Sequence, residues 1–513
     1  MPKSNAIRHD KFWAWISQDD RLQQSGEYTY GRDINIRGGQ FLELEKKPDN
    51  LTSVSESWTI VCQIEKFGIF YFGCSDGVIR STSDFITYNT LYTLSGTPEP
   101  FLAMVSVTIT NGTSTLFFWT ESTMYYRTTF TDGLAWVQAG NTIIVTSNVN
   151  SSPHRQVLHY SKLLVYFTNG TQIGKVDASI PWTVSNYGSF TSGGGAFAAR
   201  DNLVGLTEHA NSFWAYDTSG RMYVIDQSIQ AVSSVKNFKE NIIGVYNKTD
   251  YDIVLTESGT YYKAAYLNWG VWPSSHTLLR RYVFSEYTYL ALGGTTATDG
   301  FRFNFTIKIG MDNSFAENNT IVYFTANEWG EDVIYSYWKK NNALPESMSI
   351  ISSKRDDGTS WGTISAIWVD DSYLYIAGNS GVTRYVEKIP VEDKVEWASY
   401  QPSGYIITRV DSGGIYEKPK SANELLIGAD IPDWTSIKIY YSKDETTFTL
   451  LWSEIWFDEI QGWTGTATLI RRTIPSKSFN EIAIKIELLT TDSTVSPRLF
   501  SLEYEPQIVK LKQ

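Results

Sequence analysis

The chain has 513 residues, of which 15% are aromatic and 19% charged, and a formal net charge of −12. That length exceeds one small core and predicts either one large multi-blade domain or two to three domains. The acidic balance excludes broad electrostatic capture of nucleic acid, which needs a basic surface, while leaving room for a local basic ring.

Tyr, Trp, Thr, Ser, Gly and Asn dominate the sequence, and long runs of Ala, Leu, Glu and Lys are missing. Such a composition favours strands and turns over helices. No apolar run approaches the roughly twenty residues of a membrane span. The opening MPKSNAIRHDKFWAW lacks the uninterrupted apolar stretch of a signal peptide, so synthesis in a cytosol is expected. In that setting the sequons at Asn50, Asn111, Asn150, Asn169, Asn247, Asn304 and Asn318 are by-products of Asn- and Thr-rich turns.

Residues 1–45 read as an arm that joins a sheet. Phe12, Trp13 and Trp15 cluster, and Gly31-Arg32-Asp33-Ile34-Asn35-Ile36-Arg37-Gly38-Gly39 alternates polar and apolar residues between glycines, as a short strand ending in a turn does. The polar Lys46–Asn50 follows as a further turn.

From Trp58 one pattern recurs: a run of aromatic and β-branched residues, a turn signal, then a second such run. Its copies are Trp58–Asp84, Thr115–Trp136, Lys162–Asp177, Asn211–Asp226, Tyr251–Tyr266, Asn319–Trp338 and Ser372–Ile389. The third, KLLVYFTNGTQIGKVD, turns at Asn169-Gly170, two residues that accept the positive φ of a tight hairpin. Other turns fall at Gly77, at Glu121–Thr123 (which lacks glycine and is followed by a second turn at Gly133), and at Gly220, Gly259, Gly330 and Gly381. Successive turns lie about 40–50 residues apart, with one gap of about 70 between Gly259 and Gly330, and that period marks a β-propeller. Each copy is expected to supply two inner strands of a blade. The gap, with YVFSEYTYLALGG and FRFNFTIKIG, has room for an insertion or a degenerate blade, so six to eight blades are expected, seven being preferred. A stack of sandwiches is the competing all-β reading.

Pro402-Ser403-Gly404 ends the propeller pattern. Beyond it SIKIYYSKD and EIAIKIELL alternate strictly, which implies one wet and one buried face. The expected organisation is an arm over 1–45, a propeller over 46–401 and a jelly-roll or immunoglobulin-like β-sandwich over 402–513, the last folding on its own.

Little in the chain points to catalysis. His9, His154, His159, His209 and His276 show no tight ligand spacing, so no metal is expected, and no catalytic or cofactor-binding residue is assigned. Cys62 and Cys74 flank Lys66-Phe67-Gly68 and are read as two reduced thiols, with a cross-hairpin disulfide as the alternative. The paired acids Asp19-Asp20 and Asp370-Asp371 are read as solvated turns, and Ser192-Gly193-Gly194-Gly195 as a flexible turn. Structural turn positions are Gly77, Gly170, Gly220, Gly259 and Gly381.

Lys354-Arg355-Asp356-Asp357-Gly358-Thr359-Ser360-Trp361 resembles the Asp-box of sialidase-type propellers, with Lys354 standing where Ser or Thr is usual. In that family the box is a hairpin turn remote from the catalytic centre, so the resemblance implies that Asp356, Gly358 and Trp361 stabilise a turn. The order of arm, Tyr-, Thr- and Trp-rich blades, and a sandwich opening Ser-Gly-Tyr-Ile-Ile-Thr and closing Leu-Phe-Ser-Leu-Glu-Tyr resembles the tail-nozzle and tail-hub proteins of short-tailed bacteriophages. That resemblance implies a non-enzymatic virion component, a ring homo-oligomer that is usually sixfold. Such a ring lines or extends the DNA exit channel and contacts other tail proteins. The alternatives are a propeller that binds host-surface carbohydrate and a sialidase-like glycoside hydrolase.

Overall fold

The computed structural model describes residues 7–9, 28–35, 41–66, 68–101, 103–108, 114–120, 124–127, 137–138, 157–160, 164–169, 171–177, 183–186, 191–192, 195–196, 198–209, 212–226, 231–238, 242–247, 251–256, 260–265, 277–281, 316–318, 321–328, 331–338, 347–370, 372–391, 399–408, 420–442, 448–455, 468–479 and 482–508. Every regular element among them is a β-strand. The protein is an all-β propeller followed by a β-sandwich.

Among the described residues seven four-stranded antiparallel units follow one another along the chain. Blade one consists of Ile60–Lys66, Ile69–Cys74, Val78–Thr82 and Asn89–Thr93. Blade two runs through Ala103–Thr108, Ser114–Trp119, Met124–Arg127 and Val137–Gln138. Blade three uses Val157–Tyr160, Leu164–Asn169, Gln172–Asp177 and Thr183–Asn186. Blade four uses Leu203–His209, Ser212–Asp217, Arg221–Asp226 and Ala231–Asn237, and a small hairpin adds to its last strand through Thr191 and Ala231. Blade five is Ile242–Asn247, Tyr251–Thr256, Thr260–Ala265 and Thr277–Arg281. Blade six is Ala316–Asn318, Ile321–Glu328, Glu331–Trp338 and Ser347–Ser352. Blade seven takes Thr363–Val369, Tyr373–Ser380 and Thr383–Pro390 from the end of the propeller and Asp49–Ser55 from its beginning.

Each recurrent hairpin of the sequence thus provides the central pair of a blade. The flanking first and fourth strands carry weaker local signals. Part of the long gap between Gly259 and Gly330 is occupied by the last strand of blade five and the first of blade six. The stretches YVFSEYTYLALGG and FRFNFTIKIG lie outside the described residues. The Lys46–Asn50 stretch is not wholly a turn, because Asp49 and Asn50 already pair with Lys388 and Glu387 in the closing strand.

Large side chains fill the spaces between blades. The first and seventh blades share Trp58, Ile60, Phe70, Phe72 and Phe85 on one side with Trp368, Tyr375 and Val386 on the other. Trp368 and Tyr375 stack with ring centroids 5.3 Å apart, and Phe85 lies 5.3 Å from Tyr375. Blades six and seven share Tyr323, Ile334, Ile351, Ile364, Ile376 and Tyr385. The wedge-shaped gap between twisted blades needs bulky rings, which accounts for the high aromatic content.

The sandwich has one sheet of Ile7–His9, Arg498–Ile508, Lys420–Asp430 and Thr468–Phe479. Its other sheet is Tyr28–Arg32, Ser403–Thr408, Ala483–Thr490, Thr435–Ser442 and Thr449–Ile455. The arm therefore feeds a strand into each. The second sheet also runs on into blade six, because Arg32 pairs in parallel with Ile350. The expected single strand over Gly31–Gly39 is broken at Asp33, whose φ of +54° turns the chain out of the sandwich sheet and into a short ribbon of Ile34–Asn35 with Glu43–Leu44.

Ile34, Leu42 and Leu44 of the arm are fully buried in the sandwich core beside Ile406, Ile427, Ile439, Ile486, Leu499 and Leu502. This packing makes the arm part of the core that residues 402–513 were expected to form on their own. Withdrawing each of those three side chains forfeits about 1.5–3 kcal/mol of burial. A fragment of residues 402–513 is predicted to lack a cooperative melt by circular dichroism, and addition of residues 1–45 is predicted to restore it. A cooperative melt of the fragment alone would remove the arm from the folding unit.

Candidate functional site

Two of the expected turns share one design. In blade one the Gly77 amide donates to the Cys74 carbonyl at 3.2 Å, and Leu94 donates back to the Gly77 carbonyl at 3.0 Å. In blade four Gly220 donates to Asp217 at 3.1 Å and Phe238 to Gly220 at 2.9 Å. Both glycines hold positive φ, +73° and +80°. A Cβ on Gly77 would also meet the Glu99 carbonyl at 3.0 Å. The buried Asp217 carboxylate accepts from the Ser219 and Arg221 amides, the Ser219 hydroxyl and the Tyr223 hydroxyl, all within 3.0 Å. Gly358 and Gly381 hold φ of +79° and +61°. Gly170 and Gly259 lie outside the described residues.

The Asp-box-like segment is not a hairpin within a blade. It links the last strand of blade six, Ser347–Ser352, to the first of blade seven, Thr363–Val369. Gly358 donates to the Arg355 carbonyl and Arg355 to the Thr359 carbonyl, both at 3.0 Å. The acid that caps this turn is Asp357, which accepts from the Thr359 amide at 2.9 Å and from its hydroxyl. The turn role expected of the Asp356 carboxylate is corrected accordingly: it reaches out to Lys47 Nζ at 2.8 Å. Trp361 is fully buried between blades six and seven, with its carbonyl accepting from the Tyr385 hydroxyl at 2.7 Å.

The segment matters because it pins the seam where the ring closes. Arg355 Nε donates to the fully buried Glu387 at 2.8 Å, and the Asp356 amide donates to the other Glu387 oxygen at 2.9 Å. Arg355 also reaches Ser53 of the closing strand at 3.2 Å and lies 4.3 Å over the Tyr385 ring. Burial raises the Glu387 carboxyl above its ordinary range, opposed by the Asp356 amide and the Arg355 charge. On the far side of the seam Arg384, buried in blade seven, donates to Glu56 at 2.9 Å and to the Tyr88 hydroxyl at 3.2 Å. The guanidinium groups of Arg384 and Arg80 each lie 4.0 Å from the Trp58 ring. Arg80 is held by two bonds to Asp76, of 2.8 and 2.7 Å. No local sequence feature marks Glu387 or Arg384, each being one charged residue in a strand.

A second polar cluster joins arm, propeller and sandwich. The Asp33 amide donates to Ile350 at 2.8 Å, and its carboxylate accepts from the Ser353 amide at 2.8 Å and from the Ser353 hydroxyl. Burial raises the Asp33 carboxyl above its ordinary range despite Arg32. Gln401 donates to the Glu45 carbonyl at 2.8 Å, and Lys47 to Ser399 at 2.7 Å.

Cys62 and Cys74 are free, buried thiols. Burial pushes Cys74 up to about 12 and Cys62 well above the usual thiol range, which suits packing rather than nucleophilic chemistry. Among the described residues no group of three His, Cys, Asp or Glu side chains could hold a metal ion, and no helix is long and apolar enough to cross a membrane. His9, His159 and His209 sit in three different sheets, and His154 and His276 lie outside the described residues.

These contacts set an order of mutational cost. Gly220→Val forces a β-branched residue to positive φ and is predicted to cost on the order of 1–3 kcal/mol. Glu387→Gln removes the buried counter-charge of Arg355 and leaves only the exposed Asp357 carboxylate at 3.6 Å, and is predicted to cost about 3–5 kcal/mol. Asp356→Ala removes only a partly exposed ion pair, worth about 0–1 kcal/mol. Denaturant titration of the three variants checks the order; an Asp356→Ala loss as large as that of Glu387→Gln would contradict it.

No protein-family model and no curated protein matches the sequence. Among solved structures, the computationally designed protein Ika8 is similar at 14% identity and a TM-score of 0.41, over 67% of this chain and 99% of that one. The β-propeller domain of Cps50 (Swd1) from Myceliophteria thermophila aligns at 12% identity and a TM-score of 0.42, over 66% and 99% of the two chains. Sqt1 of Saccharomyces cerevisiae aligns at 9% identity and a TM-score of 0.42, over 72% and 97%. Likenesses this low carry no argument about function, and the propeller rests on the sheet order of the chain itself.

Proposed function

We propose that this chain is a non-enzymatic structural subunit of a phage tail, of the nozzle or hub kind, that assembles with copies of itself into a ring. The ring lines or extends the DNA exit channel and docks neighbouring tail proteins. In this reading the chain is made in the host cytoplasm and ends in the virion. The propeller is a rigid spacer and docking platform, and the arm and sandwich make contacts between subunits.

The observation that carries the reading is the mechanical joining of propeller and sandwich. One nine-stranded sheet runs from blade six through the arm strand Tyr28–Arg32 into the sandwich. The arm places side chains in the sandwich core and leads directly into Asp49–Ser55, the strand that closes the ring. Shared strands transmit load without a hinge, which a spacer requires and a freely linked binding module does not. The buried arginines and carboxylates of the seam are engaged in holding blades together. The net charge of −12 suits a channel wall that does not trap a passing polyanion.

Mass measurement in solution by native mass spectrometry tests the reading. The expected species is a closed ring, six copies of the 58.1 kDa chain if the family's usual symmetry holds. A monomer at all accessible concentrations would overturn the ring, and turnover of a fluorogenic sialoside would overturn the non-enzymatic reading.

A further inference from the structure

Among the described residues three non-glycine residues hold positive φ: Asp33 at +54°, Phe85 at +60° and Trp434 at +67°. For a bulky side chain this conformation costs on the order of 1–3 kcal/mol and calls for a reason. Asp33 gains buried hydrogen bonds to Ser353 and Ile350. Phe85 is buried in the aromatic cluster between blades one and seven. Trp434 gains neither, since 46% of it is exposed.

Its turn is nevertheless firmly held. The Pro432 carbonyl accepts from the Thr435 amide at 3.2 Å and the Thr435 hydroxyl at 2.6 Å. The Trp434 carbonyl accepts from the Thr491 amide at 2.9 Å and the Thr491 hydroxyl at 3.1 Å. Trp434 occupies the third position of a turn where glycine is the low-cost choice. The backbone at Trp434 is therefore held in one place, with its side chain exposed at the end of the larger sandwich sheet.

The outer face of that sheet carries a matching set of groups. Ile406, Ile437, Ile439, Ile484, Ile486 and Leu488 point into the sandwich core. Tyr405, Lys438, Tyr440, Lys485 and Glu487 alternate with them and are half-buried on the opposite face. Register sets Glu487 opposite both Tyr405 and Lys438, and Lys485 opposite Tyr440. The Lys485 ammonium lies 4.2 Å from the Tyr405 ring and 5.5 Å from the Tyr440 ring. The Tyr440 hydroxyl donates to Glu487 at 2.8 Å. Neither lysine forms an ion pair among the described residues. Burial, opposed by Glu487 and reinforced by Lys438, lowers Lys485 below the ordinary lysine range.

We propose that this face binds an acidic saccharide. Its sugar rings stack on Tyr405, Tyr440 and Trp434, and its carboxylate or sulfate groups lie on Lys438 and Lys485. Two lysines against one carboxylate that already accepts from tyrosine leave the face locally positive on a chain of net charge −12, so it complements an anion. Charged groups interleaved with rings across the centre of the face suit a hydroxylated ligand better than a protein, whose interface cores are depleted of Lys and Glu. Single-stranded nucleic acid also stacks on aromatic rings but needs a continuous basic groove, which Glu487 interrupts. The proposal does not depend on the ring assembly.

The test titrates the full chain with oligogalacturonate, polysialic acid and a heparin-derived oligosaccharide. A neutral galactan oligomer and single-stranded oligothymidine serve as rivals, and tryptophan fluorescence and calorimetry as readouts. Binding of at least one acidic saccharide, weakened by added salt, is expected. Lys485→Met is expected to weaken it about tenfold. Trp434→Gly is expected to raise the melting temperature by relieving the strained φ and yet to weaken binding, a combination that a purely structural tryptophan would not give. Binding of no acidic saccharide, equal binding of the neutral oligomer, or preference for oligothymidine would each overturn the proposal. So would full binding by both variants.

Discussion

A β-propeller depends on closing its ring, because an open ring would leave an unpaired strand edge on the last blade and an uncovered apolar wall on the first. Here the strand Asp49–Ser55 closes it, pairing antiparallel with Thr383–Pro390 from Lys388 and Asp49 at one end to Thr383 and Ser55 at the other. Residues from opposite ends of the propeller must therefore meet before its last interface exists. The other blades form from contiguous sequence. Closure links positions more than three hundred residues apart, and Arg384 with Glu56, and Arg355 with Ser53, both span it.

The two boundaries that flank blade seven add polar chemistry to their packing of rings and aliphatic side chains. Burying the Arg355 and Glu387 charges carries a desolvation cost that their attraction offsets only when the remaining hydrogen-bond sites are filled. The Asp356 amide and Ser53 fill them. A buried pair of this kind adds little net stability over a hydrophobic pair but strongly penalises misalignment; it ties the linker between blades six and seven to Thr383–Pro390, and the Arg355–Ser53 bond extends that tie to the closing strand. The two guanidinium groups over Trp58 act in the same sense, each cation–π contact contributing about 0.5–2 kcal/mol.

The arm ties this closure to the sandwich. Between its strand in the sandwich sheet and the closing strand of the propeller lie Asp33, Leu42, Leu44 and Glu45, all buried. Propeller and sandwich are thus bound by shared strands and a shared polar cluster, in contrast to a linker joining two finished cores. That coupling makes the outer face of the larger sandwich sheet a fixed platform, which gives the strained Trp434 and the tyrosine–lysine row a defined position relative to the propeller.

Sequence alone determined what is local. Six of the seven hairpins were legible because a glycine or Asn-Gly turn between two aromatic, β-branched runs is specified within about fifteen residues by backbone sterics and side-chain shape. The seventh, which turns at Glu121–Thr123 without glycine, was legible from its flanking runs. The change of pattern near Pro402 was legible because strict alternation reports a sheet with one wet face. Tertiary structure decided whatever joins distant segments. Nothing in Asp49–Ser55 says that it pairs with Thr383–Pro390, and nothing near Glu387 says that its partner is Arg355. The arm was expected to join a sheet, but only packing shows that Ile34, Leu42 and Leu44 complete the sandwich core. Asp356 matched a motif by its neighbours in sequence, while the capping role fell to Asp357 because its side chain is the one within reach of Thr359. The positive φ of Trp434 is equally invisible in sequence, since the same letters read as an ordinary turn until the carbonyl bonds to Thr491 fix the backbone.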